Sequence, residues 1–327
     1  MLVKSGLRYL RREGFTNFTR RLLIFFILEW YSSLFTGSKF TKKDAVIVRE
    51  IQGSQMCLDV RDKGVSRELA LVGVREGLFT QTLQGALKEG DCVVDVGANI
   101  GYYALMEARL LGPRGRVYAI EPVPHNMELL RESVRLNGYE NIETFPIGIG
   151  SSNGTSTMYL SDHPNWCSFY PPRKIVGTIN VQIASLDTFL KDKRRPDLLR
   201  MDTEGYEYEI LAGMNGILAS GIPLKLLIEF HPDIMGRERA AAFLANLKKH
   251  GFHLKKMILE PNIYPPHSDF LWRLVEFLNK RVMKMKFGAW DMTLDALMSN
   301  ESIMSGKAGD PALFLERSGT ASREAAG

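Results

Sequence analysis

From Cys92 onward the chain alternates short apolar runs with amphipathic stretches. Cys92–Val96 is closed by Gly97 and predicts a buried strand. Tyr102–Leu111 has a helical pattern that stops at Gly112-Pro113. Arg116–Ile120 predicts a second strand. Pro124–Asn137 predicts a helix with Pro in its first turn and Gly138 at its end. Ile142–Ile147 predicts a third strand. A βαβαβ order of this kind implies a parallel sheet with right-handed crossovers. The rhythm breaks over 151–184. Ser151-Ser152-Asn153-Gly154 is turn chemistry, and Thr155–Leu160 and Asn180–Ala184 predict paired strands around a loop rich in Pro and aromatics, His163–Pro172. A short helix, Leu186–Leu190, follows. Strands are expected at Leu198–Met201, Leu224–Phe230, Phe252–Leu259 and Ala312–Glu316, with a helix Glu207–Leu218 between the first two. Upstream, Val46–Ile51 and Met56–Val60 are β-rich, Asp62-Lys63-Gly64 is a turn, and Thr80–Lys88 predicts a helix.

Apolar residues make up 45% and charged residues 24% of the 327, an ordinary globular mix. Cys57, Cys92 and Cys167 are far apart and form no CxxC pair, which argues against a zinc ribbon or a disulfide framework and fits a reducing compartment. The net charge of +5 is uneven: residues 1–50 carry ten Lys/Arg against four Asp/Glu, and the remainder 32 against 33. No nucleic-acid partner is expected, because the main body lacks a concentrated basic surface.

The basic arm leads into the apolar run Leu22–Leu28, which ends at Glu29 before Trp30, Tyr31, Leu34 and Phe35. Seven apolar residues cannot cross a bilayer core, which takes about 20. Two readings stay open: a helix lying in an anionic membrane interface, or a helix packed on the main domain. Asp269–Phe287 has the same ambiguity. Leu271, Leu274, Val275, Leu278, Val282 and Met285 form one stripe, with Arg273, Lys280 and Lys284 opposite. The expected location is cytoplasmic, with peripheral contact at the inner face of the membrane as the alternative.

The strongest chemical signal is Val93-Val94-Asp95-Val96-Gly97-Ala98-Asn99-Ile100-Gly101, a strand passing through a glycine turn into a helix. In doubly wound sheets, ligands bind beyond the carboxyl ends of such strands. Gly97 and Gly101 are expected to let the backbone approach a ligand. Glu121, twenty residues past Gly101, can accept hydrogen bonds from both ribose hydroxyls of a nucleoside. Asn99 occupies the second glycine position of a dinucleotide fingerprint, which disfavours NAD. Asp95 would sit poorly beside a diphosphate but suits a cationic ligand such as S-adenosylmethionine.

Residues 93–103 resemble motif I of the FkbM-type S-adenosylmethionine-dependent methyltransferases. Three later segments agree in order: Ser185-Leu186-Asp187; Met201–Glu207 with Leu211-Ala212-Gly213; and Ile228-Glu229-Phe230-His231. Arg200 and Thr203 stand where the pattern expects Lys and Val or Ile. The resemblance covers about residues 56–260 and implies a Rossmann-like α/β fold with a seven-stranded, mostly parallel sheet, and O-methylation of sugars, glycans or secondary metabolites. It places Asp95, Gly97, Ala98, Asn99, Gly101 and Glu121 at the donor site, with Asp202 toward its methionine end. The organisation expected is a helical arm over 1–43, a lead-in over 44–91, a catalytic domain over 92–260, an amphipathic helical insertion over 261–311, a last strand over 312–317 and a disordered tail over 318–327.

Asp202 and Glu204, and Glu229 and His231, are i, i+2 pairs at the ends of expected neighbouring strands, which puts each pair on one face of an extended chain. Methyl transfer to an alcohol needs a base. His231 is the expected base, with Glu229 orienting it or the substrate and Glu204 as a further candidate in a helix's first turn. No metal ligand set is assigned. A divalent cation on Asp202, Glu204, Glu229 and His231 is the less favoured alternative. Trp166, Phe169 and Tyr170 either form a sugar-stacking wall or pin their loop. The function expected is an S-adenosylmethionine-dependent O-methyltransferase acting on a small-molecule or glycan acceptor. The alternatives are an NAD-dependent oxidoreductase and an inactive nucleoside-binding or membrane-docking module.

Overall fold

The computed structural model describes residues 45–260 and 288–319, apart from Lys63, 162–165 and 172–173. The arm over 1–43, the amphipathic stretch Asp269–Phe287 and most of the tail lie outside the described residues.

The strands are β1 (Val46–Ile51), β2 (Ser54–Asp59), β3 (Cys92–Val96), β4 (Arg116–Ile120), β5 (Ile142–Phe145), β6 (Gly148–Gly150), β7 (Gly154–Leu160), β8 (Gly177–Ser185), β9 (Leu198–Met201), β10 (Leu224–Glu229), β11 (His253–Leu259), β12 (Gly288–Trp290) and β13 (Ala312–Arg317). The main sheet runs β12-β11-β13-β10-β9-β3-β4-β5. β5, β4, β3, β9 and β10 are mutually parallel, and β13 is antiparallel to both β10 and β11. This is the expected mostly parallel α/β sheet with one strand more than the seven expected. The extra strand, β12, lies within the expected helical insertion over 261–311 and pairs with β11 at the sheet edge. After β12 come two short helices, α10 (Leu294–Met298) and α11 (Glu301–Met304), each capped by a side chain, from Thr293 and Asn300.

The other helices are α1 (Val65–Val72), α2 (Gly77–Ala86), α3 (Tyr102–Leu111), α4 (Pro124–Asn137), α5 (Leu186–Phe189), α6 (Glu207–Ala212), α7 (Asn215–Ala219), α8 (Pro232–Met235) and α9 (Arg237–Lys249). Buried strands such as β3 carry continuous apolar runs because both faces of the sheet are covered. Helix α1 was not expected. The Asp62 carboxylate accepts from the backbone N–H of Gly64 and Ser66 and starts it.

Two expected elements end early. Pro146 has no N–H to donate, and the strand expected over Ile142–Ile147 stops at Phe145 as β5; β6 starts afresh at Gly148 and joins β8 and β7 in a separate three-stranded sheet. The helix expected over Glu207–Leu218 breaks at Gly213. A Cβ there would lie 2.0 Å from the Gly150 carbonyl oxygen, so the chain turns against the β6 backbone. Helix α7 then restarts on the Asp187 carboxylate, which accepts from Gly216 N (2.7 Å) and Ile217 N (3.0 Å). The Ser185-Leu186-Asp187 motif is therefore architectural: Ser185 caps α5 and Asp187 caps α7.

The chain steps from β3 outward to β4 and β5, then returns to β9 on the other side of β3. That reversal opens a crevice at the carboxyl ends of β3 and its neighbours.

Candidate active site

The crevice is a cleft of about 870 Å³, counting its open mouth. Gly97, Ala98, Asn99, Glu121, Asp202 and Glu204 line it, so six of the ten expected site residues meet there. Asp95, Gly101, Glu229 and His231 do not line it.

The turn after β3 is set by backbone geometry. Gly97 has φ +84°, and a Cβ there would lie 2.0 Å from the Asp202 carbonyl oxygen. Its close approach is to the β9 loop. Gly101, at φ +94°, starts α3, and a Cβ there would meet Leu130 at 2.4 Å. The expected role of Gly101 beside the ligand is corrected accordingly: it packs α3 on α4. Asn99 also lies in the left-handed region, at φ +51°, which Asn tolerates better than most residues. Its N–H donates to Glu121 Oε2 (2.9 Å), and its own Oδ1 accepts from Ile100 N (2.8 Å). Glu121 Oε1 accepts from Val123 N (2.8 Å). One carboxylate thus ties the turn after β3 to the start of α4 and still borders the cleft. Burial pushes its carboxyl up to about 7, against the backbone donors that lower it.

Asp95 is corrected more sharply. It is fully buried, and its Oδ1 accepts from Arg200 Nη1 at 2.7 Å. It therefore holds Arg200 behind the turn and leaves the cleft to others. Arg200 is the centre of this layer. Its Nη1 also reaches the Gly97 carbonyl (3.3 Å), its Nη2 donates to Asp202 Oδ2 (2.9 Å), and its guanidinium lies 4.1 Å from the Tyr103 ring centroid. Burial alone would lower its pKa, but Asp95 and Asp202 hold it charged. Glu107 is buried nearby, its carboxyl oxygens without a hydrogen-bond partner among the described residues, and burial pushes it far above its usual range. The sequence flagged Arg200 only as a departure from the expected lysine. A strand-end arginine two residues before an acid was the available signal.

The acceptor side forms where β9 and β10 end side by side, with Met201 opposite Ile228. The chain does not stay extended past Asp202: Glu204 takes φ +51° and Gly205 φ +94°. Nor does Glu204 open a helix, since α6 begins at Glu207. The turn swings the Glu204 side chain into the cleft wall, where burial pushes its carboxyl up to about 8. Asp202 and Glu229 bring carboxylate oxygens within 4.8 Å of each other. Burial works against the charged form of Asp202, but Arg200 and His231 hold it below its usual range, whereas burial and Asp202 push Glu229 well above.

His231 is 3% exposed, and its Nδ1 lies 3.0 Å from Glu207 Oε1. Its orienting partner is Glu207, where the sequence suggested Glu229. Burial would lower the imidazole pKa, yet Glu207, with Glu229 and Glu204, holds it well above the ordinary value. With Nδ1 taken by Glu207, Nε2 is the ring nitrogen left to meet an acceptor. Phe169 lines the cleft and packs on Tyr206 (centroids 4.8 Å apart). Tyr170 bonds Glu209 and Arg239 on the outside, and Trp166 is half exposed, so the three aromatics form no common wall.

Residues 95–254 match the family model described as the methyltransferase FkbM domain. The chain carries an FkbM methyltransferase domain. Curated relatives are named as methyltransferases too. A protein-L-isoaspartate O-methyltransferase of Ignicoccus hospitalis is 45% identical over 65 residues, 20% of this chain and 30% of that protein. Methyltransferase 1 of Beauveria bassiana is 26% identical over 38% of this chain and 58% of its own length. The hexuronic acid methyltransferase AglP of Haloferax volcanii is 27% identical over 41% of this chain and 54% of its own. The chain thus spans between 30% and 58% of the length of these relatives. Among the described residues of the FkbM protein, no helix is long and apolar enough to cross a membrane.

Proposed function

We propose that this FkbM-domain protein transfers a methyl group from S-adenosylmethionine to a hydroxyl of a sugar, a glycan or glycolipid, or a secondary metabolite. The observation that carries the reading is the Glu121 carboxylate, fixed on the cleft by the Asn99 and Val123 amides and facing an acid rim of Asp202 and Glu204. The residues fit the donor. Glu121 would hold the ribose, Val123, Ile147, Met158 and Phe169 supply apolar walls for a base, and Asp202 is the acid at the end nearest the reacting centre. When bound, the donor supplies an electrophilic methyl group on a sulfonium.

The chain's own part is to position the acceptor and receive its proton. Glu204 is the best-placed group for the second task. Its carboxylate borders the cleft, and its nearest ionisable partner is His231 Nε2, at 3.9 Å. His231 and Glu229 stand behind Asp202 and Glu204, next to that rim. The relative named a hexuronic acid methyltransferase supports a sugar acceptor, and the isoaspartate O-methyltransferases support transfer to oxygen.

Calorimetry with S-adenosylhomocysteine and NAD separates this reading from the oxidoreductase. One-site binding of the former and none of the latter is expected. Incubation with labelled donor and a panel of glycosides reads transfer. His231→Ala and Glu229→Ala should abolish it with donor affinity nearly intact. Near-normal turnover in both would remove the acceptor-side cluster from the mechanism.

A further inference from the structure

Asp202 follows β9, and Glu229 ends the neighbouring parallel strand β10 in a register that sets them side by side. His231 lies two residues on. One ligand atom from each of the three comes within 4.8 Å of the others. Metal–oxygen bonds of 2.0–2.6 Å, across the range from Mg²⁺ to Ca²⁺, put opposite ligands about 4.0–5.2 Å apart. The three side chains lie within that span.

The second observation is the state of His231. The ring is almost wholly buried, and its Nδ1 is taken by Glu207. Its Nε2 has no hydrogen bond among the described residues, its nearest acid being Glu204 at 3.9 Å. A metal-bound histidine characteristically gives its other ring N–H to a carboxylate, which fixes the tautomer and makes the free nitrogen a better ligand. Glu207 is built for that task. Its Oε1 also accepts from Thr203 N, Thr203 Oγ1 and Gly205 N, so it is anchored in the turn that carries Glu204. Charge points the same way. Asp202, Glu204, Glu207 and Glu229 gather around His231, and the cations near them are Arg200, already shared with Asp95, Arg75, already paired with Glu68 and Glu76, and His231 itself.

We propose that Asp202, Glu229 and His231 bind a divalent cation on the acceptor side of the cleft, with Glu207 as the positioning residue behind His231. One imidazole with two carboxylates suits an ion that accepts mixed nitrogen and oxygen donors, of which Mn²⁺ is a convenient probe. Three protein ligands leave coordination positions for two neighbouring hydroxyls of an acceptor, which the ion would orient and acidify.

The test uses Mn²⁺ alone, titrated into the chelator-stripped full chain with neither donor nor acceptor, with free Mn²⁺ followed by its EPR signal. The transferase reading and this one can therefore fail separately. The expected result is one Mn²⁺ per chain, with affinity at least about tenfold weaker in Asp202→Asn and in Glu229→Gln. Both substitutions are near-isosteric, and either one suffices. A wild-type chain that takes up no stoichiometric Mn²⁺, or variants whose titrations superimpose on wild type, overturns the proposal.

Discussion

The two halves of the cleft solve the same problem differently. On the donor side, around Gly97–Asn99 and Glu121, polar side chains are satisfied by nearby backbone amides. On the acceptor side, around Asp202, Glu204, Glu229 and His231, ionisable groups are satisfied by one another and by two residues from elsewhere, Arg200 and Glu207. A backbone-satisfied site is rigid and tolerates single changes. A site of mutually paired buried charges fails when one partner goes.

That contrast can be broken most forcefully at Arg200. Arg200→Met leaves Asp95 and Asp202 buried without their counter-charge and should cost about 3–5 kcal/mol of stability. Urea unfolding measures it, and a loss below about 1 kcal/mol would show that the charges below the turn do not depend on the arginine. Next comes Glu204→Gln. Turnover should fall by about 10²-fold or more with donor affinity unchanged, as expected for a lost proton acceptor. A fall in donor affinity equal to the fall in turnover would move Glu204 to the donor half.

The donor half answers more mildly. Glu121→Gln replaces a charged acceptor of ribose hydroxyls by a neutral one and should weaken S-adenosylhomocysteine binding by about 1.5–3 kcal/mol. The pH dependence follows from the same carboxyl. Burial raises it to about 7 in the free chain, and the nucleoside prefers it ionised. Affinity should therefore be full above about pH 7 and decline below it, by at most about tenfold per unit, because binding must first expel a proton. A flat profile from pH 5.5 to 8 in calorimetry would contradict this, and Glu121→Gln should flatten it. The smallest effect is at the architectural motif: Asp187→Ala removes the cap of α7 and should cost about 1 kcal/mol with kinetics unaltered.

The same contrast explains what could be read from sequence. Cys92–Val96, Tyr102–Leu111, Arg116–Ile120, Pro124–Asn137 and Leu198–Met201 have the bounds expected, because local periodicity and glycine or proline stops decide them. Glu121 was legible for a similar reason, since strand end and turn are close in sequence. What escaped depends on distant contacts. Gly213 breaks a helix because Gly150 lies against it, and Asp95 turns inward because Arg200, 105 residues away, claims it. Glu207 as the partner of His231 is of the same kind, a pairing made only when β9 and β10 lie side by side. Strand spacing suggested that Asp202 and Glu204 share a face. It could not show that the chain bends left-handed at Glu204 and carries the side chain to the cleft by another route.

The most direct measurement is calorimetric titration of the purified chain with S-adenosylhomocysteine, beside Glu121→Ala. One site per chain in the wild type, with affinity at least about tenfold weaker in the variant, is the predicted result. No heat of binding from that nucleoside or from S-adenosylmethionine would contradict the assignment of the cleft.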